Sequence, residues 1–218
     1  MIETPTPTLK PEATLAEIFD ASSVNISFEG TNKISQFRSE FNALSVESGG
    51  FNRIVAGRSA EEVTFSGFMG KLLISVPEGL TSVLNDSNSI IMAYGQRESF
   101  DAQGQMTTDN TRSNKVALVV ETNSSSSAMQ FMQDWESNLV GVLAGSFGLN
   151  EAKMASIEFL DNTYGSVAIR YKNFTYPDSS IDYAVIQAGD KSYLVIAGSR
   201  ELMFEAIDIL QRSSETEI

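Results

Sequence analysis

Residues 115–149 read KVALVVETNSSSSAMQFMQDWESNLVGVLAGSFGL, and this stretch decides the fold. Val116 to Val120 run without a charge, which marks a buried strand. After Asn123 the period changes. Ala128, Phe131, Met132, Trp135, Leu139, Val142 and Leu143 recur three and four residues apart, one apolar stripe along a long helix. The sole tryptophan stands mid-stripe. The serines ahead of it supply N-caps, and Gly148 supplies a stop.

Toward the C-terminus, residues 156–160 (SIEFL) and 166–171 (SVAIRY) should pair across a turn at 161–165. Residues 173–180, with Pro177 and Asp178, read as a loop. Tyr183 to Ala188 and Ser192 to Ala197 flank Gly189-Asp190-Lys191, a hairpin signal. Ser199 can cap a last helix with the stripe Met203, Ala206, Ile207 and Leu210. The tail at 213–218 should fray.

Toward the N-terminus, residues 14–21 suit a short helical arm, and residues 24–28 (VNISF) alternate as a strand does. Thr31 or Asn32 can cap a helix carrying Ile34, Phe37, Phe41 and Leu44. Residues 51–58 make a second strand, completing a β-α-β unit. Residues 59–83 look helical in two pieces parted at Pro77. Phe65, Phe68, Met69, Leu72 and Leu73 form one stripe, and Leu80, Val83 and Leu84 the next. Residues 85–88 are a turn and residues 89–95 a strand. Residues 97–114 are polar and aperiodic, a solvated excursion whose composition points to disorder.

These elements predict an α+β fold: a mainly antiparallel sheet with four to five helices on one face. The chain divides into a Thr/Pro linker (1–13), an N-terminal α+β half (14–96), a flexible loop (97–114), a C-terminal α+β half (115–212) and a tail (213–218). Each half contains strand, helix and further strands. No identity between them marks a sequence repeat. One continuous sheet and two separate ones fit the pattern equally.

The net charge of the 218 residues is −13, from 15 basic and 28 acidic side chains. Phosphate recognition needs a basic face, so nucleic acid is not an expected partner, and an anionic membrane surface would repel the chain. Cysteine and histidine are absent. Thiolate catalysis, disulfides and a Ser-His-Asp triad are thereby excluded within the chain. No apolar run reaches a membrane span, and the N-terminus has no signal-peptide pattern.

Four residue sets are of the types that carry chemistry. Gly67 and Gly70, like Gly141 and Gly145, sit in helical patterns and suggest close packing. Asp86, Asn88, Asp101, Asp109 and Asn110 match no calcium loop. The carboxylates Asp134 and Glu136 flank Trp135 on a face away from the stripe, and Asp178 and Asp182 sit in a loop. Asn25, Asn85, Asn123 and Asn173 begin glycosylation sequons, which chance explains in a chain this rich in Asn, Ser and Thr. None of these sets makes a catalytic, cofactor or metal site, and no cofactor is expected.

The linker ETPTPTLKPEAT favours extended polyproline II. Such a segment often joins a membrane anchor to an outer domain, and Met1 would then stand where an anchor was removed. A simple disordered tail is the rival reading. Residues 76–95 (VPEGLTSVLNDSNSIIMAYG), 115–148, and 183–210 (YAVIQAGDKSYLVIAGSRELMFEAIDIL) carry a resemblance. Together they are similar to the C-terminal regions of uncharacterised membrane-anchored proteins of ultrasmall candidate-phyla bacteria. The likeness rests on a strand leading to a helix with Trp135-Glu136, and on a terminal hairpin leading to a closing helix. That family shows a charged Asn-Lys-Asp-type segment where this chain has NFTYPDSSI. The resemblance implies a place outside the cytoplasmic membrane.

The expected function is a non-catalytic extracytoplasmic binding domain of a membrane-anchored protein, with an envelope or surface protein as partner. A carboxylate-dependent hydrolase is one rival. A self-assembling surface subunit or homo-oligomer is the other.

Overall fold

The apolar run after Lys115 becomes the middle of the sheet. The computed structural model describes residues 13–28, 31–57, 60–107 and 113–215. Its strands are β1 (Ser22–Ile26), β2 (Phe51–Ala56), β3 (Glu61–Glu62), β4 (Leu84–Gly95), β5 (Ser99–Phe100), β6 (Met106–Thr107), β7 (Asn114–Thr122), β8 (Leu160–Tyr164), β9 (Val167–Phe174), β10 (Tyr176–Ala188) and β11 (Lys191–Ala197). Its helices are α1 (Leu15–Ile18), α2 (Lys33–Ala43), α3 (Phe65–Lys71), α4 (Glu78–Val83), α5 (Ser125–Phe147) and α6 (Arg200–Glu215).

Nine strands form one mixed, mostly antiparallel sheet in the order β1-β2-β4-β7-β11-β10-β9-β8, with β3 beside β2. The pair β1–β2 is parallel, with α2 as its crossover, so the β-α-β unit is real. Both halves of the chain share this sheet, and the fold is α+β.

Along β7 the side chains alternate between two cores. Val116, Leu118 and Val120 join one with α2, α3, α4 and α5. Ala117 and Val119 join the other with α1 and α6. A strand apolar on both faces must be covered on both. The expected helix-covered face is therefore the one under α2 to α5, while α6 buries Leu202, Met203, Ala206, Ile207 and Leu210 on the opposite face. In α5, the Ser124 hydroxyl accepts from Ser127 N, and Gly148 ends the helix in the left-handed region at φ 70°. Trp135 lies in the core beneath α5, 4% exposed.

Five stretches depart from the expected boundaries. Residues 85–88 lie inside β4: Asn85 still pairs with Glu121, and 86–88 bulge before the register against β7 resumes at Ser89. Side chains hold that bulge: Asp86 Oδ1 accepts from Ser66 N at 2.7 Å, and Asn85 and Asn88 both donate to Glu121. Leu84 accordingly belongs to the strand.

Strand β8 covers residues expected as a turn. The true turn is Gly165-Ser166, since Tyr164 pairs with Val167 and Gly165 has φ 55°. Lying at the sheet edge and mostly exposed, β8 carries no apolar pattern to read. Residues 173–174 and 176–180 are strand as well, parted only by the bend at Thr175. Pro177 is tolerated because the β9–β10 register skips from Tyr176 to Ser180, and no ladder bond is lost.

Within 97–114, β5 and β6 pair as a hairpin. Asp101 Oδ1 closes it by accepting from Gln103 N and Gln105 N, each at 2.9 Å. Helix α6 continues into the expected tail as far as Glu215.

Candidate functional site

The carboxyl ends of the parallel strands β1 and β2 open into a cleft of about 1060 Å³. Ile26, Phe28 and Ala56 give it an apolar lining, while Lys33, Lys71, Glu40 and Glu61 bring charge to it. This position follows from topology. After Ile26 the chain turns into α2, and a parallel crossover leaves space beyond the strand ends.

The cleft wall is fixed by α2. Glu40 Oε2 accepts from Ser27 N at 2.6 Å. Gln36 Nε2 donates both to Glu40 Oε1 and to Ser27 Oγ, at 3.2 Å each. Beneath it, Phe28 stacks on Phe37 at 5.8 Å between ring centroids and meets Phe68 edge-on at 6.1 Å. Lys71 Nζ stands 5.6 Å from the Phe28 ring centroid, a cation–π contact. Lys33, the first residue of α2, makes no hydrogen bond or ion pair among the described residues. The arrangement offers amines to an anion and an apolar surface to what carries it.

The two carboxylates of the cleft are less suited to catalysis. A glycosidase acid needs apolar surroundings that keep it protonated. Glu40 accepts two hydrogen bonds, and Glu61 faces water.

A second concentration of charge joins the end of β4 to the start of α6, away from the cleft. Glu201 accepts from Tyr94 Oη at 2.7 Å, Arg97 Nε at 2.6 Å, Arg97 N at 3.1 Å and Glu98 N at 2.7 Å. Burial pushes its carboxyl up, but these bonds outweigh it and hold the group below the usual range. Burial, then the Glu201 hydrogen bond and charge, raises the Tyr94 phenol. Nearby, burial pulls the Lys115 amine down to about 8 against the opposing charge of Asp178. Its Nζ bonds Ser179 Oγ at 3.2 Å. Burial pushes Asp182 up to about 7, partly countered by the Ser180 hydroxyl and the Arg200 charge.

The residues weighed from sequence are scattered. Asp86 caps α3, Asn88 serves Glu121 and Asp101 closes the β5–β6 turn. Asp109 and Asn110 lie outside the described residues. Asp134 is exposed, as its helix position implies. Glu136 is not on a solvated face. Arg170 and Tyr183 hold it against the sheet. Asp178 lies near the start of β10 and Asp182 is buried within that strand, instead of both sitting in a loop.

Close packing explains Gly145, where a Cβ would come within 3.2 Å of Ile34. It does not explain Gly70 or Gly141, around which a Cβ would meet nothing within 4 Å. Of the sequon asparagines, Asn25 is exposed at the cleft, whereas Asn85 bonds Glu121 and Asn173 has a shielded amide oxygen. Sequence reasoning passed over Lys33 and Lys71. The β-α-β unit was the signal that would have pointed to its carboxyl end.

No helix among the described residues is long and apolar enough to cross a membrane. Comparison with known protein families, with curated proteins and with solved structures finds no significant match.

Proposed function

We propose that this chain is a non-catalytic binding domain of a membrane-anchored envelope protein, and that its cleft receives an acidic segment of another envelope component. The observation carrying this reading is the pairing of Lys33 and Lys71 over the apolar floor of Ile26 and Phe28, in a chain otherwise strongly acidic. Lysine amines attract carboxylates or phosphates, and the floor adds area to be desolvated. The extracytoplasmic, tethered location rests on the Thr/Pro linker and the family resemblance. The test is retention of solubilised envelope proteins from the source cell on the immobilised chain. The double variant Lys33→Glu with Lys71→Glu should lose retention, while Lys153→Glu, on the 3-10 turn Glu151–Lys153 outside the cleft lining, should keep it. Equal retention by all three contradicts the proposal.

A second reading is self-assembly. It is favoured by β8, an edge strand whose outer side is unpaired among the described residues, with Leu160 (45%) exposed at its start and Ile157 (93%) exposed just before it. Unpaired edges beside apolar side chains recruit further strands. Light scattering over a concentration series separates this reading from a monomeric module.

A further inference from the structure

Three side-chain atoms among the described residues are shielded from solvent and have no hydrogen bond of acceptable geometry: Asn173 Oδ1, Ser180 Oγ and Asp182 Oδ1. They share one place. Asn173 and Ser180 are direct partners across β9 and β10, and directly opposed residues project to the same face. Asp182 follows Ser180 by two residues, so it projects to that face too. This is the α6 side, since Ala184 and Ile186 continue the row into the α6 core. Ser180 is 0% exposed and Asp182 2%.

The cluster is roofed. Phe100 of the β5–β6 hairpin packs on Tyr176, with ring centroids 5.9 Å apart. Tyr176 Oη donates to Ala102 O at 2.8 Å, and Glu98 pairs with Arg200 at 2.9 Å. Arg200 thus spends its hydrogen bond on Glu98 and reaches Asp182 only through space. Lys115 bonds Ser179. Ser180 approaches Asp182 closely enough to act on its charge, without hydrogen-bonding geometry. An unpaired buried carboxylate is costly, and buried polar groups are normally satisfied.

We propose that Asn173, Ser180 and Asp182 form a site for a small monovalent cation. The donors are all oxygens: one carboxylate, one amide carbonyl and one hydroxyl. Residues 177–179, skipped by the β9 register, form a bulge immediately before Ser180. One acid balances one positive charge. Calcium sites gather several carboxylates, and no group of three or more acidic side chains suited to a metal occurs among the described residues. The site is distinct from the cleft at β1–β2 and does not depend on the function proposed for it.

The test is thermal unfolding of the whole chain in sodium, potassium, ammonium and choline chlorides at one ionic strength, a unit or more above the Asp182 value of about 7. Choline is too large to enter. One or more of the small cations should raise Tm over choline by roughly 2–4 °C, saturably. The isosteric Asp182→Asn should abolish that difference, and Ser180→Ala should shift its midpoint to higher salt. Where sodium is the effective ion, its NMR line should broaden with the wild type and not with Asp182→Asn. Identical Tm in all four salts means that water alone serves these oxygens, and it overturns the proposal. A cation-specific rise that survives Asp182→Asn overturns it as well.

Discussion

Tyr183 donates its hydroxyl to Glu136 across 2.5 Å, tying the middle of β10 to the long helix α5. Arg170 of β9 closes on the same carboxylate, with Nε on Oε1 and a terminal nitrogen on Oε2, both at 2.8 Å. Glu136 is 17% exposed and Arg170 21%, so solvent screens the pair only in part. This polar staple crosses an otherwise apolar layer.

Removing one member should strand the others. Glu136→Gln and Arg170→Ala are each expected to cost about 1–3 kcal/mol in urea unfolding. Tyr183→Phe should cost about 1 kcal/mol. The double variant of Glu136 and Arg170 should cost clearly less than the sum of the single changes. Simple additivity would mean that the three side chains do not act together.

Asp182 should give the stability a pH signature. An unfolded aspartate titrates near 3.8, whereas burial pushes folded Asp182 up to about 7. Between these values the folded chain keeps a proton that the unfolded chain has released. Its contribution is therefore greatest below about pH 4, falls as the pH rises to about 7, and stays low above that. In choline buffers, Asp182→Asn should be the more stable protein at mildly alkaline pH. Its advantage should shrink steadily on acidification. A pH-independent difference between the two proteins would refute the assignment.

Two glycines should answer alanine in opposite ways. At Gly79, in α4, a Cβ would lie 2.5 Å from the Phe131 ring of α5. Gly79→Ala should cost about 1–3 kcal/mol by overpacking. At Gly70, exposed in α3, a Cβ meets nothing within 4 Å. Gly70→Ala should stabilise by about 0.4–1 kcal/mol through backbone entropy. Differential scanning calorimetry resolves both.

Glu201 should control the β5–β6 hairpin. Its carboxylate holds the amides of Arg97 and Glu98 and the Arg97 side chain. Glu201→Ala should speed amide hydrogen exchange across 97–107 while leaving 116–120 protected. Unchanged exchange in the hairpin would show that Phe100 on Tyr176 suffices to hold it.

The sequence carried the elements whose apolar patterns are long. Helix α5 with Trp135, helix α6 with Ile207 and the hairpin at Gly189 all stand where their periodicity puts them. What it hid was decided by side chains and by position in the sheet. The bulge at 86–88 looks like a turn because Asp86 and Asn88 are turn formers, yet their bonds to Ser66 and Glu121 let β4 run on. Strand β8, the edge of the sheet among the described residues, is mostly exposed and so shows no apolar pattern. The two-sided cover of β7 could have been inferred from its unbroken run, since an exposed face would demand alternation. The cleft depends on where Lys71 of α3 meets Phe28 after β1, a long-range relation that local pattern does not encode.

Binding at the cleft is tested most directly by amide NMR of the isotope-labelled chain, with and without solubilised envelope proteins of the source cell. Shift changes should be confined to the strand ends and helix faces around Ser27, Lys33, Gly57 and Lys71, and should be lost in the Lys33→Glu, Lys71→Glu variant. Changes centred on the β8 edge, or a spectrum that does not respond at all, would contradict binding at the cleft.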